Sequence, residues 1–284
     1  MVRHRTLPPG WYPASEDGVR TQCATWEQDA PAVPVDCVAA VVPHAGWAFS
    51  GRIAYLALRG LRADAQTIVV AGGHLRPGDN VRIAPEDAYE TPVGTIKADA
   101  DLARELRGQV AAADDTVPDN TVEVQLPLVA ALFPRAHCLY LRCPPSELAQ
   151  TAGMAIADYA ERTERVICVV GSTDLTHYGP AYGFTPVGIG TDAVEWARTV
   201  NDHAIVTAMA SLDAGRTVEL GREESAACSS GAAATAIAFA QAQGVGHGTV
   251  VEYGQSYDVR PDSSFVGYVG ICYSPSQRSS AAST

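Results

Sequence analysis

Residues 41–51 read VVPHAGWAFSG. An apolar run from Val38 to Val42 stops at Pro43 and delivers His44 onto a glycine-containing turn. Ser50-Gly51 then opens a helical pattern through Ala54, Leu56, Leu58 and Leu61. This order places His44 at the carboxyl end of a strand, where open α/β sheets hold their ligands. An imidazole there can ligate a metal or carry a proton near neutral pH. The plainer role for a single histidine is a hydrogen bond to a backbone carbonyl.

The same grammar recurs along the chain. Gln66–Ala71, QTIVVA, is a β-branched run ending in GGHLRPGDN, with Gly72-Gly73 ahead of His74. Arg165–Val170, RVICVV, runs into GSTDLTHYG, which holds Asp174 and His177. Ala136–Leu141 is a further strand. Helices are expected after Ser15, over Ala98–Gln109, from a Ser146 cap to about Tyr159, over Thr191–Leu212 and over Ala232–Gln243. Val81–Gly94 reads as an irregular hairpin or edge pair, and Asp114–Pro127 as a polar loop feeding a helix. Thr249–Tyr253 and Ser264–Tyr273 read as two strands joined by a loop at Asp258–Asp262. Apolar strands alternating with helices imply a sheet covered on both faces. The expectation is a single α/β domain over 1–273 with a mixed central sheet, followed by a flexible Ser/Ala-rich tail over 274–284.

Composition narrows the function. A formal charge of −12 excludes a nucleic-acid binder, because phosphate backbones demand a basic surface. No apolar run reaches the roughly 18 residues that span a bilayer, and the two arginines near the start precede no apolar core, so a cytoplasmic protein is expected. Seven cysteines without a CxxC pair make neither a disulfide framework nor a zinc knuckle. No GxSxG elbow supports a serine hydrolase, and no glycine-rich stretch ends in Gly-Lys-Ser/Thr as a phosphate loop does.

Three strand ends offer His44, His74 and His177, and a helix start offers Cys228. Two imidazoles plus one anionic ligand with open positions suit redox-active iron; with a thiolate as the third ligand, zinc or copper suits equally. Cys228 stands just before a helix N-terminus, where the macrodipole favours the thiolate. It could equally pack among the neighbouring alanines. Asp174 and His177, three apart, share one face of a helical first turn and make an acid/base pair; a turn-capping aspartate beside a structural histidine is the other reading.

Taken together, PPGWYPAS, VVPHAGWAFSG, AGGHLRP, DNTVEVQLP, VVGSTDLTHYG, CSSGAAA and VEYGQSYD with SSFVGY resemble, in order, the signatures of the MEMO-like family. The resemblance covers the chain to about Tyr273. Bacterial members are known as protein B of the AmmeMemoRadiSam system, which implies an AMMECR1-like protein and a radical-SAM protein as partners. The family is similar in fold to the catalytic subunit of class III extradiol dioxygenases, a LigB-like fold. That implies a non-haem Fe(II) oxygenase acting with O₂ on a small polar or phenolic substrate, or else a non-catalytic metal- or peptide-binding module. A zinc hydrolase is a weaker third idea, and a homo-oligomer is possible. The family's metal ligands fall on His44, His74 and Cys228, and its Asp-x-x-His pair on Asp174 and His177. Trp47, Asn120 and Glu123 are expected on the substrate side, with core packing the other role open to Trp47. Three departures stand out. Asn120, preceded by Asp119, replaces a family histidine, although Glu123 is kept. Ala71-Gly72-Gly73 replaces the residues before His74, and Cys228 is followed by Ser229 rather than glycine.

Overall fold

Strands Ala39–Val42, Ile167–Ser172, Thr67–Gly72 and His137–Arg142 lie side by side and parallel at the centre of the computed structural model, which describes residues 1–275. They are buried almost without interruption, and their residues alternate between the two faces. Ala39, Val41, Val69, Ala71, Leu139, Leu141 and Val169 pack on one side. Ala40, Val42, Ile68, Val70, Cys138, Tyr140, Cys168 and Val170 pack on the other. Successive residues of a strand point to opposite faces, so an uninterrupted apolar strand needs cover on both. Helices Ala100–Gln109, Glu147–Thr163, Asp202–Ala210, Ala214–Glu223 and Ser230–Ala242 supply one layer. Helices Glu16–Gln28, Trp47–Leu58 and Leu126–Leu132 supply the other. Each large aliphatic side chain withdrawn from water this way contributes about 1.5–3 kcal/mol.

Antiparallel strands finish both edges. Phe265–Tyr273 pairs antiparallel with Ala39–Val42, with Thr249–Gln255 and with the short strand His177–Tyr178. Val81–Ile83 pairs antiparallel with His137–Arg142 and parallel with Ala112–Asp114. The result is one α/β domain with a mixed sheet flanked by helices. No helix among the described residues is long and apolar enough to cross a membrane. The tail from residue 276 onward lies outside the described residues.

Several local expectations are corrected. The hairpin lies at Ala88–Thr91 and Gly94–Lys97, later than expected, and Val2–Arg3 joins it as a third strand; Val81–Ile83 belongs to the main sheet. The loop over 114–127 contains a helical turn, Asn120–Glu123, because Asp119 accepts the Thr121 amide as its N-cap. Helix Ala214–Glu223 was not foreseen. Asp213 caps it by accepting from the Arg216 amide, after Leu212 breaks the preceding helix in a left-handed conformation. A helical turn, Ser256–Val259, occupies part of the expected 258–262 loop. The helix after His44 begins at Trp47 rather than at Ser50.

Candidate metal centre

Parallel strands bring their carboxyl ends to one rim of the sheet, and the turns that leave them carry His44, His74 and Asp174. Cys228 arrives at the same rim from the turn ahead of Ser230–Ala242, ten of whose 13 residues are alanine, glycine, isoleucine or phenylalanine. That turn is fastened to the strand end: the Cys228 amide donates to Asp174 O and the Ser229 amide to Thr173 Oγ1. His44, His74 and Cys228 thereby offer ligand atoms that all lie within 4.8 Å of one another. Cys228 Sγ stands 3.1 Å from His44 Nε2, and the His44 and His74 rings meet edge to face with centroids 5.3 Å apart. An ion bonded to sulfur and nitrogen at about 2.0–2.3 Å needs ligand atoms roughly 3–4 Å apart. Two imidazoles and a thiol at this spacing fit zinc, copper or iron.

Each candidate ligand is held from behind. The His44 amide donates to Asp174 Oδ1 at 2.6 Å, its carbonyl accepts from Asn120 Nδ2 at 3.2 Å, and its Nδ1 faces Ser172 Oγ at 3.3 Å. Nε2 is thus the nitrogen left for the centre. His74 sits in a left-handed conformation, φ 57°, which a side-chain-bearing residue adopts only under constraint. Its Nδ1 meets Asp119 Oδ2 at 3.2 Å. Arg142 grips Asp115 with two bonds of 2.7 Å and reaches Asp119 Oδ2 at 3.1 Å. A carboxylate behind an imidazole in this way fixes its ring orientation and raises its basicity.

The electrostatics follow from burial and these neighbours. Burial alone would lower His44, but Asp174 and Cys228 outweigh it and raise the ring to about 9. The bond to Asp119, followed by that to Cys228, raises His74 to about 10. Burial opposes ionisation of the Cys228 thiol, yet His44 and His74 hold it well below the ordinary thiol range. Burial raises Asp119 too, but His74, Thr121 and Arg142 bring it down to about 2. For Asp174, burial wins over His44 and the carboxyl lies above its ordinary value.

A cavity of about 500 Å³ opens over this centre. His44, His74, Asp174 and Asn120 line it, as does His177, whose ring lies edge-on to Tyr182 with centroids 4.9 Å apart. Trp11, Phe49, Tyr182, Tyr268 and Arg260, none of them anticipated, complete much of the wall. Trp47 does not line it: the indole is buried against Trp26 and Tyr12 and donates to Val124 O. Glu123 does not line it either, because its carboxylate accepts from the amides of Thr6 and Leu7, the Thr6 hydroxyl and the Tyr12 hydroxyl. It anchors the amino-terminal segment that presents Trp11. Asp174 and His177 are not on a helical turn. The segment is extended, with Leu175 N donating to Gly267 O and His177 paired opposite Val266. Asp174 bonds to the His44 amide, whereas His177 Nδ1 lies 3.1 Å from Leu175 O.

The sequence pattern of the family described as Memo-like protein matches residues 3–272, nearly the whole chain. The chain belongs to the Memo-like family. Relatives bear this out. A MEMO1 family protein of Thermococcus onnurineus is 29% identical over 250 residues, covering 83% of this chain and 86% of its own. One from Thermococcus kodakarensis is 28% identical over 290 residues, covering 96% and 99%. One from Methanosarcina acetivorans is 30% identical over 240 residues, covering 82% and 84%. The mixed sheet flanked by helices is consistent with the LigB-like fold implied by the sequence resemblance.

In this Memo-like protein the two glycines before His74 have a steric reason. A methyl group on Gly73 would collide with the Cβ and Oγ of Ser229, next to Cys228, so the two turns touch at this point. Gly73→Ala is expected to push the His74 turn away from the Cys228 turn and to weaken binding of Zn(II) roughly 10–100-fold. Competitive titration against a chromogenic chelator measures this. Unchanged affinity would show that the two turns are not held in register by Gly73.

Proposed function

We propose that this Memo-like protein is a metal-dependent oxygenase or oxidase of non-haem iron type, acting on a small polar or phenolic substrate. The supporting observation is the convergence of His44, His74 and Cys228, with both imidazoles lining an open cavity that also holds a further histidine, His177. A three-ligand set whose imidazoles border a cavity leaves positions for other molecules, whereas a structural site closes around its ion. Bound there, Fe(II) would supply Lewis acidity and one-electron redox chemistry; copper or zinc would satisfy the same donors. The chain's own residues do the rest. Asp174 and Asn120 hold His44 by its two backbone groups, and Asp119 holds the His74 ring. Tyr182, Trp11 and Tyr268 offer aromatic walls to a planar substrate. His177, lining the cavity, takes or returns the proton of a substrate hydroxyl.

The test is anaerobic reconstitution with Fe(II), metal analysis and oxygen uptake over a panel of catechols, with His177→Ala alongside. Stoichiometric iron, uptake above that of free Fe(II), and a fall of roughly 10²–10⁴-fold in His177→Ala with iron retained are expected. Tight iron binding with no uptake on any substrate would favour a metal-binding module without turnover.

A further inference from the structure

We propose that Asp202 is a positioning residue for His177, acting on it through the Leu175–Thr176 peptide. The inference deepens the reading of His177 as the proton-carrying group and rests on it. The N–H of that peptide, on Thr176, donates to Asp202 Oδ1 at 3.1 Å. The carbonyl of the same peptide, on Leu175, lies 3.1 Å from His177 Nδ1. A carboxylate accepting from one end of a peptide draws charge toward the oxygen at the other end and strengthens it as an acceptor. A carbonyl oxygen only accepts, so Nδ1 must carry the hydrogen. Nε2 is then left with its lone pair for the cavity. The arrangement is a carboxylate–peptide–imidazole relay. Asp174, bonded to His44, does not make the equivalent contact.

The surroundings of Asp202 support a directional role. Its side chain is fully buried, and no lysine, arginine or histidine among the described residues lies within ion-pairing distance of it. Burying a carboxylate without a cation is costly, and apolar residues at such positions are often neutral or stabilising. Here the carboxylate accepts from the Thr176 amide, the Thr176 hydroxyl and, at 2.8 Å, the Tyr253 hydroxyl. Asn201 Nδ2 donates to Thr176 Oγ1 at 3.0 Å. A π-helical turn, Ala197–Asn201, immediately precedes Asp202; such turns often mark functional sites. The strand Phe265–Tyr273 closes the other edge: Leu175 N donates to Gly267 O and Gly267 N to Thr176 O. A side chain on Gly267 would collide with the Asp202 carboxylate, so the fold reserves room for that group.

The tautomer of His177 can be read without any turnover. The full chain is labelled with heavy nitrogen in its histidine rings, loaded with Zn(II), and studied by long-range proton–nitrogen correlation at a pH where the ring is neutral. His177→Gln identifies the His177 signals by their loss. In the unaltered chain His177 is expected as the Nδ1–H form. In Asp202→Asn the ratio should move toward the Nε2–H form by roughly three- to tenfold, as when one bond to a charged group is weakened. Zinc stoichiometry should stay the same. Finding His177 as the Nε2–H form in the unaltered chain would overturn the proposal with no variant needed. So would an Asp202→Asn protein that melts earlier yet keeps the His177 tautomer, since Asp202 would then only stabilise the fold. Absence of oxygen uptake bears on the proposed activity and leaves this readout untouched.

Discussion

Cys228→Ser and His74→Ala are each expected to lower the affinity for Fe(II) or Zn(II) by more than about 100-fold, beyond the 10–100-fold typical of groups that merely support a ligand. The fold should survive both changes: Cys228 is half-buried, His74 is exposed, and neither lies in the apolar layers on the two faces of the sheet. The affinity of the unaltered chain should also depend on pH in a definite direction. With His44 raised to about 9 and His74 to about 10, both rings carry an extra proton near neutrality. A metal needs them neutral, so binding must expel protons, and affinity climbs as pH rises from about 6 toward 9. Titration calorimetry in two buffers of different ionisation heat counts those protons. Binding that releases none, or that persists in Cys228→Ser, would remove this ligand set from consideration.

The second large effect concerns stability. Arg142→Met should destabilise the metal-free protein by about 3–5 kcal/mol, because it leaves the fully buried Asp115 without its cation and Asp119 with His74 alone. For a chain of this size that corresponds to a fall in Tm of roughly 5–8 °C. Pairing the change with Asp115→Leu should restore much of the loss, since removing both partners costs far less than orphaning one. Thermal unfolding of the single and double variants decides it. A single variant within about 2 °C of the unaltered chain would mean the arginine cluster is not a stabilising one.

The parts of the molecule legible beforehand are those written locally. β-branched runs ending at His44 and His74 predict strand ends because the apolar pattern and the stop signal sit within a dozen residues. The uninterrupted Val38–Val42 run likewise implies cover on both faces. What escaped depends on distant partners. Glu123 resembles a site residue in its motif, yet its destination is the Thr6–Leu7 backbone, more than a hundred positions away. The Asp-x-x-His spacing suggests a helical turn, but pairing with Val266 draws the segment out into a strand. Arg142 and Asp119 could have been suspected. An arginine closing the buried run CLYLR, next to the His74 strand, is a charge that must find a carboxylate. Asp202, in the middle of a helix, gives no such sign, because its partners belong to segments 26 and 51 positions away.

The distance along the polymer between Cys228 and His44, 184 positions, has a consequence for biosynthesis. The His44 strand is flanked in the sheet by Ile167–Ser172 and Phe265–Tyr273, so it has neither neighbour while the first half of the chain is leaving the ribosome. Two imidazoles therefore emerge long before the sulfur that completes their set, and the rim that aligns them closes only when the last strand slots in. An ion held by all three side chains would therefore be acquired only after translation, once the whole domain is complete.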